Sequence, residues 1–190
     1  MIIAYKGFKP DLTCTFGAHT FQYQLGIWNE EPEANCARNG FHCAENPLDC
    51  LSYYSKWNEA VYYIVLADGD INEDAQDSRI SCTRMKLVKK LTLGEFVAHS
   101  LQYLYNHPMR ESNAHVAENH GVALQGFAIA RGKEPTAQGK IGDYLGLAKE
   151  EENSRKILEL GLYYVDGKEF LPDTWYDVVG VSTKGEIVSI

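Results

Sequence analysis

Alternating apolar and polar positions near the start of the chain predict β-strands. The segments IIAYKGF and HTFQYQLGIW both alternate, which is typical of strands with one buried face. Between them, Pro10 fixes a backbone angle and Asp11 can bond to its own chain, and both properties favour a turn. The pattern therefore predicts that the two segments pair as a hairpin.

Two further strands are predicted in the next part of the chain. The segment AVYYIVLA is rich in β-branched and aromatic residues, and RISCTRMKLVKKL alternates imperfectly. The acidic segment ADGDINEDAQDS lies between them and lacks the helices and the final Glu of a calcium-binding EF-hand. We interpret this segment as a solvated loop.

Two helices are predicted before residue 109. Asn46 followed by Pro47 is typical of a helix start, because Asn caps free amides and Pro suits the first helical position. Thr92 and Glu95 form a capping-box pattern at the start of LGEFVAHSLQYLYN. The apolar residues of this segment form one stripe, so it predicts an amphipathic helix that ends before Pro108.

The pattern changes after Met109. Short alternating pieces such as NAHVA, GVALQ and GFAIA are separated by Asn, Gly and Pro, which predicts a short solenoid-like stub of stacked strands. Such a stub cannot bury its own ends, so it must pack on the rest of the chain or on a second copy. A homo-oligomer is therefore one expectation. A hairpin through residues 152–154 is predicted nearer the end.

These elements together predict an α+β fold. We expect a mixed, mostly antiparallel sheet with two helices, followed by a β-rich C-terminal half that includes the solenoid-like stub. The expected division is an N-terminal α+β domain over residues 1–108 and a β-rich C-terminal region over 109–190 that packs on it.

The charge of the chain narrows the choice of partners. The 190 residues include 26 acidic and 18 basic side chains, for a net charge of −8, which argues against direct binding of nucleic acid over a broad surface. An acidic protein is instead suited to a basic groove on a partner, as a decoy for nucleic acid. No apolar run reaches membrane-spanning length and the N-terminal apolar stretch is too short for a signal peptide, so we expect a cytoplasmic protein without a membrane partner.

Five cysteines are an odd number in a chain without a secretion signal, which favours free thiols over a disulfide scaffold. Structural zinc sites usually take their ligands in C-x2-4-C pairs, and the chain contains no such pair. We therefore expect no cofactor and no metal. If a metal is present, the predicted ligands are Cys14, Cys36, His42 and Cys43.

The chain resembles a known group of proteins in several segments. These are AYKGF, Cys14, GFHCAENPLDCLSYY, the strand AVYYIVLADGDI, the helix that LTLGEF opens, the Ala/Gly-rich pieces and the closing VDGKEFLPDTWYDV. Together they resemble an uncharacterised family of phage and prophage proteins with an N-terminal GFHAC-like motif, short Gly/Ala-rich repeats and a VDG…KPDTWY tail. The resemblance covers nearly the whole chain, with the repeats reduced to about two degenerate copies. It implies a phage setting, and hence the cytoplasm of a bacterial host, without an established activity.

The first functional hypothesis is a phage accessory protein that binds a host protein without catalysis. The predicted partner is a component of a host defence system, such as a CRISPR-Cas effector or another nucleic-acid-handling protein, which would make this chain similar in role to anti-CRISPR proteins. Aromatic side chains anchor protein interfaces well, so the predicted binding residues are Trp28, Trp57 and Trp175.

The alternative is an NAD-using enzyme of the ADP-ribosyltransferase type. In that case His42 would contact the cofactor, Tyr53 or Tyr54 would stack on the nicotinamide, and Glu95 would orient the ribose. A third hypothesis makes Cys43 a nucleophile beside His42, but neighbouring residues of a strand point to opposite faces, which is a poor arrangement for proton transfer.

Overall fold

A computed structural model describes residues 1–16, 19–36, 38–73, 77–111 and 113–183, and the chain divides into two compact units, Met1–Thr92 and Leu93–Ile190. The division lies before the long helix, whereas the sequence places the boundary after residue 108. The strands of the first unit are β1 (Ile2–Phe8), β2 (Thr13–Phe16), β3 (His19–Gln22), β4 (Trp28–Glu30), β5 (Phe41–Ala44), β6 (Val61–Glu73) and β7 (Arg79–Lys90).

Four strands of the first unit close into a ring, which makes this sheet a small barrel. Strand β1 pairs with β5 and β6, and β7 pairs with β5, β6 and β4, all in antiparallel register. The long strands β6 and β7 change register at Ile64/Val65 and between Asp68 and Ile71. Such bulges bend a strand and increase its twist, which allows so few strands to close.

The barrel encloses an apolar core. Ala4 and Phe8 point inward from β1, and the Phe8 ring meets the Tyr23 ring edge to face at a centroid distance of 5.0 Å. The buried residues of this core are Ala4, Phe8, Tyr23, Phe41, Cys43, Val65, Ala67, Ile80, Cys82, Met85 and Leu87. The core therefore draws on every long strand of the unit and combines aromatic rings with thiols.

Two local predictions for the first unit are wrong. The hairpin partner of β3 is β2, not β1, because both edges of β1 are taken by β5 and β6. The segment Ala67–Glu73 continues strand β6 instead of forming a loop, since Asp68 pairs with Arg84 and Glu73 with Ile80 of β7, on either side of a bulge. Asp74, further along the same predicted loop, lies outside the described residues.

The helix predicted at Asn46 is present as a short 3₁₀ helix, Pro47–Ser52, and a second 3₁₀ helix spans Trp57–Glu59. The Asn46 side chain accepts a hydrogen bond from the Leu48 amide at 3.1 Å, which confirms the predicted cap. Asp49 accepts a hydrogen bond from the Ser78 hydroxyl at 2.6 Å and so ties the helix to the start of β7.

The second unit begins with the helix α1 (Leu93–Asn106), which the sequence predicts between Thr92 and Pro108. A single curved sheet follows it. The strands of this sheet are β8 (Ala117–Val122), β9 (Phe127–Gln138), β10 (Tyr144–Glu150), β11 (Ile157–Tyr164), β12 (Trp175–Tyr176) and β13 (Ser182–Thr183). The hairpin predicted through residues 152–154 is confirmed, because β10 and β11 pair antiparallel on either side of it.

The solenoid-like stub is a wrong prediction. Strands β8, β9 and β10 do pair in parallel, but the sheet continues with antiparallel β11 beyond β10, and antiparallel β12 pairs with β9. A solenoid repeats one coil in one direction, whereas these antiparallel neighbours turn the strands into one open, half-barrel sheet. The Gly/Ala-rich pieces form strands with small side chains. Such strands fit a solenoid and a half-barrel sheet equally well.

Helix α1 covers one face of this sheet. A Cβ built on Gly146 of β10 would lie 3.0 Å from Val97 Cγ1 and 3.4 Å from Leu101 Cδ1, so the small residue allows close approach of helix and strand. Phe96 meets Phe127 of β9 at a ring-centroid distance of 6.2 Å. The predicted apolar stripe of the helix is therefore its buried face.

Arg131 of β9 is the main buried charge of the second unit. Its Nε donates to Glu150 Oε1 at 2.5 Å, and its Nη2 donates to the Pro108 and Arg155 carbonyls at 2.6 and 2.8 Å. These bonds tie the end of the α1 segment to the β10–β11 hairpin. These partners satisfy Nε and Nη2, whereas Nη1 is buried without a hydrogen-bond partner among the described residues, so the buried charge is only partly compensated.

The structure thus confirms a strand-rich α+β fold with an antiparallel sheet in the first unit. Across the described ranges, none of the helices combines the length and the apolar content that crossing a bilayer requires.

Candidate functional site

A buried lysine, Lys6, lies in the barrel of the first unit next to His42 of the GFHC motif. Lys6 is 8% exposed, and its Nζ donates to the His42 carbonyl oxygen at 2.5 Å. The ammonium also lies 5.5 Å from the ring centroids of Phe8 and Tyr23. A carbonyl and two aromatic faces therefore offset part of the cost of burying this charge.

His42 lies on β5 opposite Ser81 of β7 and is half-buried. Burial, followed by the nearby charge of Lys6, lowers the pKa of His42 from 6.5 to about 4. The imidazole is therefore neutral at pH 7. It can donate and accept hydrogen bonds, but it carries no positive charge. Gly40 precedes this strand with a φ of 80°, a conformation that side chains disfavour, so the GFHC motif begins with a required glycine.

Two of the three thiols near Lys6, those of Cys43 and Cys50, are poor nucleophiles, whereas the hydrogen bond with Cys43 lowers the pKa of Cys82. A hydrogen bond with Cys82, together with burial, raises the pKa of Cys43, and burial raises the pKa of Cys50 to about 12. Cys82 donates a hydrogen bond to the Phe41 carbonyl at 3.5 Å. Since a thiolate is the reactive form of cysteine, this arrangement favours an inert, packed role for Cys43 and Cys50.

The predicted metal ligands have separate roles in the structure. The Tyr54 hydroxyl donates to Cys14 Sγ at 3.0 Å, the Cys36 amide donates to Asn72 Oδ1 at 3.1 Å, and Cys43 is buried in the core. Over the part of the chain that the structure describes, no group of three or more His, Cys, Asp or Glu residues is arranged to hold a metal ion.

The residues predicted for NAD chemistry lie in both units. Tyr53 is 60% exposed, and the Arg79 guanidinium lies over its ring at 5.3 Å and donates to its hydroxyl. The neighbouring Tyr54 ring packs on Gly7, where a Cβ would come within 2.8 Å of Tyr54 Cδ2. Glu95 belongs to α1 of the second unit.

The three tryptophans predicted to bind a partner are all half-buried. The Arg84 guanidinium lies 4.7 Å from the Trp28 ring, and Trp57 stacks on Tyr62 at a centroid distance of 4.6 Å. Trp175, in the second unit, meets His120 edge to face at 5.9 Å. Each ring therefore already has a partner within its own unit, which leaves only part of its surface for another protein.

A groove of about 440 Å³ lies beside Trp28 on the outside of the barrel. Its lining residues are Glu30, Glu31, Pro32, Gly69, Asp70, Thr83 and Arg84. Arg84 forms ion pairs at 3.2 Å with both Glu30 and Asp68, which neutralise its charge. The other charged residues of the lining, Glu31 and Asp70, are acidic.

The sequence pattern does not predict this groove, because it places Asp68 and Asp70 in a loop. The register of β6 against β7 places Asp68 opposite Arg84, and the bulge that follows turns Asp70 outward. Acidic residues occupy every second position of ADGD (67–70), and basic residues occupy every second position of RMK (84–86). Opposite charges in this spacing are typical of two strands that pair with each other.

The first unit is the part of the chain that matches a known protein family. A family model described as "Domain of unknown function (DUF7666)" matches residues 2–99, which are a little more than half of the chain and include almost all of the barrel unit. No curated protein and no solved structure matches the chain. This chain therefore belongs to the DUF7666 family.

Proposed function

We propose that this protein acts by binding another protein without catalysis. In this proposal it is a phage accessory factor in the cytoplasm of the bacterial host, and it blocks a nucleic-acid-handling defence protein such as a CRISPR-Cas effector. The resemblance to phage and prophage proteins supports the setting. The acidic groove beside Trp28 is the observation that carries the binding role.

The groove is suited to basic side chains of a partner. Glu31 and Asp70 line it next to the neutralised Arg84, so a Lys or Arg from outside would find carboxylates and little competing positive charge. Charge complementarity of this kind speeds association and selects partners. Proteins that handle nucleic acids present basic grooves, and the net charge of −8 complements them.

The groove is also held in a fixed shape. Thr83 Oγ1 accepts a hydrogen bond from the Asp70 amide at 3.0 Å, and Gly69 takes a φ of 76° at the bulge. A Cβ on Gly69 would lie 2.2 Å from Thr83 Oγ1, so glycine is required there. A preformed site loses little conformational entropy on binding, which supports a recognition role.

The chemistry inside the barrel supports binding over catalysis. The raised pKa values of Cys43 and Cys50 and the lowered pKa of His42 leave these groups uncharged near pH 7. The alternative of an NAD-using enzyme stays a prediction, and titration of NAD into the purified protein with a calorimeter tests it directly.

The binding proposal is tested by calorimetric titration of the protein with purified CRISPR-Cas effectors and other nucleases of the phage's host. We expect at least one complex whose affinity falls as salt rises, because the contacts are ionic. The double variant Glu31→Lys with Asp70→Lys should weaken it by about a hundredfold, at roughly tenfold for each reversed charge.

The matched control reverses two exposed carboxylates of the second unit, Glu134→Lys with Glu169→Lys. This control should bind as tightly as the unmodified protein. The proposal is wrong if no nucleic-acid-handling protein of the host binds, or if the control weakens the complex as much as the groove variant.

A further inference from the structure

Strand β11 forms one edge of the sheet in the second unit. Strand β10 pairs with one side of it, and among the described residues no strand pairs with its other side. Every second residue of β11 is large, apolar and exposed: Leu158, Leu160, Leu162 and Tyr164 have exposed fractions between 36% and 51%. We call these four residues the β11 stripe.

The two faces of β11 have different surroundings. Leu160, Leu162 and Tyr164 of the β11 stripe lie on the face that α1 covers, because Leu162 pairs with Gly146, and Gly146 touches Val97 and Leu101 of the helix. Leu158 lies at the register shift of the strand. On the opposite face, the Tyr163 hydroxyl donates to the Val178 carbonyl at 2.7 Å, and a Cβ on Gly161 would lie 2.5 Å from the same oxygen. The exposed stripe therefore extends the apolar face of the sheet past the helix.

Three other edge strands in the described residues, β8, β4 and β13, are protected against pairing. Strand β8 exposes Glu118 and His120 and is interrupted by a register shift at Asn119, which has a φ of 57°. Strands β4 and β13 span only three and two residues. Natural proteins protect edges with charges, bulges and short strands. Strand β11 has one charge, Glu159, and one register shift at Leu158, because Lys149 pairs with Glu159 and Glu150 with Ile157. Its remaining run, residues 160–164, is apolar and regular and is suited to pairing with another strand.

We propose that β11 pairs in antiparallel fashion with β11 of a second copy of this chain, about a two-fold axis. The strand is compatible with itself, because Glu159 is its only charged residue. With the axis at Leu160, Glu159 lies opposite Gly161 of the other copy, and with the axis at Gly161 it lies opposite Tyr163. Neither register brings two carboxylates together, and both join the two β11 stripes into one apolar surface.

The exposed area is sufficient for a reversible dimer. A large apolar residue has roughly 200 Å² of surface, so the β11 stripe exposes on the order of 350 Å². Interfaces are about 57% apolar, so complete burial of the stripe would correspond to at most about 600 Å² for each copy and about 1,200 Å² in total. That upper bound is near the lower limit of specific interfaces, so we expect a weak dimer with a dissociation constant in the micromolar range or above. The dimer does not depend on the groove of the first unit.

Sedimentation equilibrium of the full chain across the micromolar range tests the proposal. We expect a monomer–dimer equilibrium, and the variants Leu160→Lys and Leu158→Lys should each weaken the dimer by about tenfold or more, because a buried ammonium replaces apolar contact. Leu158 is the more exposed of the two and is the safer substitution for folding, which far-ultraviolet circular dichroism verifies. The control Leu124→Lys changes a residue that is 76% exposed outside the stripe and should leave the equilibrium unchanged.

Hydrogen exchange identifies the pairing itself. Amides of Ile157–Tyr164 should gain protection as the protein concentration rises, and Leu158→Lys should remove that gain. A chain that stays monomeric throughout the range would overturn the proposal. A dimer that resists both stripe variants, or one that forms without added protection in β11, would overturn it as well.

Discussion

In the first unit the strands β1, β5, β7 and β6 close into a ring, whereas in the second unit the sheet stays open and ends at β11. In the closed sheet, the backbone groups at most strand edges form hydrogen bonds with a neighbouring strand. Lys6, Cys43 and Cys82 point toward a shared interior. The open sheet buries its faces under α1 and the segment around Val178 but leaves the edge of β11 accessible. A closed sheet is thus suited to present side chains from its outer wall, while an open sheet offers its backbone to another strand.

The largest effect is expected for Arg131→Ala in the open sheet. The change removes the partner of Glu150 and leaves the Pro108 and Arg155 carbonyls without their donor. Breaking a buried charge network of this type costs about 3–5 kcal/mol in the free energy of unfolding. Urea denaturation followed by circular dichroism measures this loss.

All five cysteines belong to the first unit, so thiol labelling reports on the barrel alone. Labelling of Arg131→Ala at low urea should stay as slow as in the unmodified protein if the two units unfold separately. The control Lys133→Ala breaks an exposed ion pair of 3.9 Å and should change stability by less than about 0.5 kcal/mol. An equal loss of unfolding free energy in Arg131→Ala and Lys133→Ala would contradict the assigned role of Arg131.

An intermediate effect is expected for Gly7→Ala in the barrel. The new Cβ would lie 2.8 Å from Tyr54 Cδ2, so the ring must move, at a cost of about 1–3 kcal/mol. That movement loosens the bond between the Tyr54 hydroxyl and Cys14 Sγ, and Cys14 should then react faster with a thiol reagent. Stopped-flow labelling of the native protein measures the rate.

Gly26→Ala is the matched control for this change. No atom lies within 4 Å of a Cβ at Gly26, but its φ of 76° makes alanine strained by about 1 kcal/mol. This variant should lose stability without faster labelling of Cys14. If both variants accelerate labelling equally, the rate reports general loosening and not the Tyr54 contact.

The smallest effect is expected for His42→Ala, at about 1 kcal/mol near pH 7. The folded protein has a His42 pKa of about 4, below the ordinary 6.5, so the unfolded chain binds more protons between these values. Stability therefore falls as the pH drops from about 6.5 toward 4, and His42→Ala should reduce this slope. Melting temperatures over that pH range measure it.

His120→Ala changes an exposed histidine of the second unit and serves as the comparison. The same loss of slope in both variants would show that the pH dependence does not come from the barrel histidine. An unchanged melting temperature of His42→Ala at every pH would contradict its role as a packed, neutral residue.

Local signals in the sequence predict the elements well where a side chain acts on its own backbone. The Asn46 cap, the helix between Thr92 and Pro108 and the hairpin at residues 152–154 all depend on residues within one or two turns of each other. The same applies to the buried stripe of α1, which follows from helical spacing alone. Such features need no knowledge of the rest of the chain.

Pairing between distant strands was predicted less well. The sequence predicts that β3 pairs with β1, because it cannot show that β5 and β6 occupy both edges of β1. It predicts a loop at ADGD, because it cannot show that Asp68 lies opposite Arg84. For the same reason the sequence offered the tryptophans as candidate binding residues but did not predict the groove beside Trp28, whose walls come from three separate strands. The solenoid-like stub failed because short Gly/Ala-rich strands fit several sheet arrangements.

The amino-acid sequence by itself determined the strand-rich composition, the caps and turns, the amphipathic helix and the acidic charge, since each depends on residue type and short-range spacing. Only the tertiary structure decided which strands pair, and with that the closed barrel around Lys6, the acidic groove and the unpaired edge of β11. The physical reason is that backbone hydrogen bonds between strands are nearly the same for every residue type. The choice of partner strand therefore rests on the packing of the whole core.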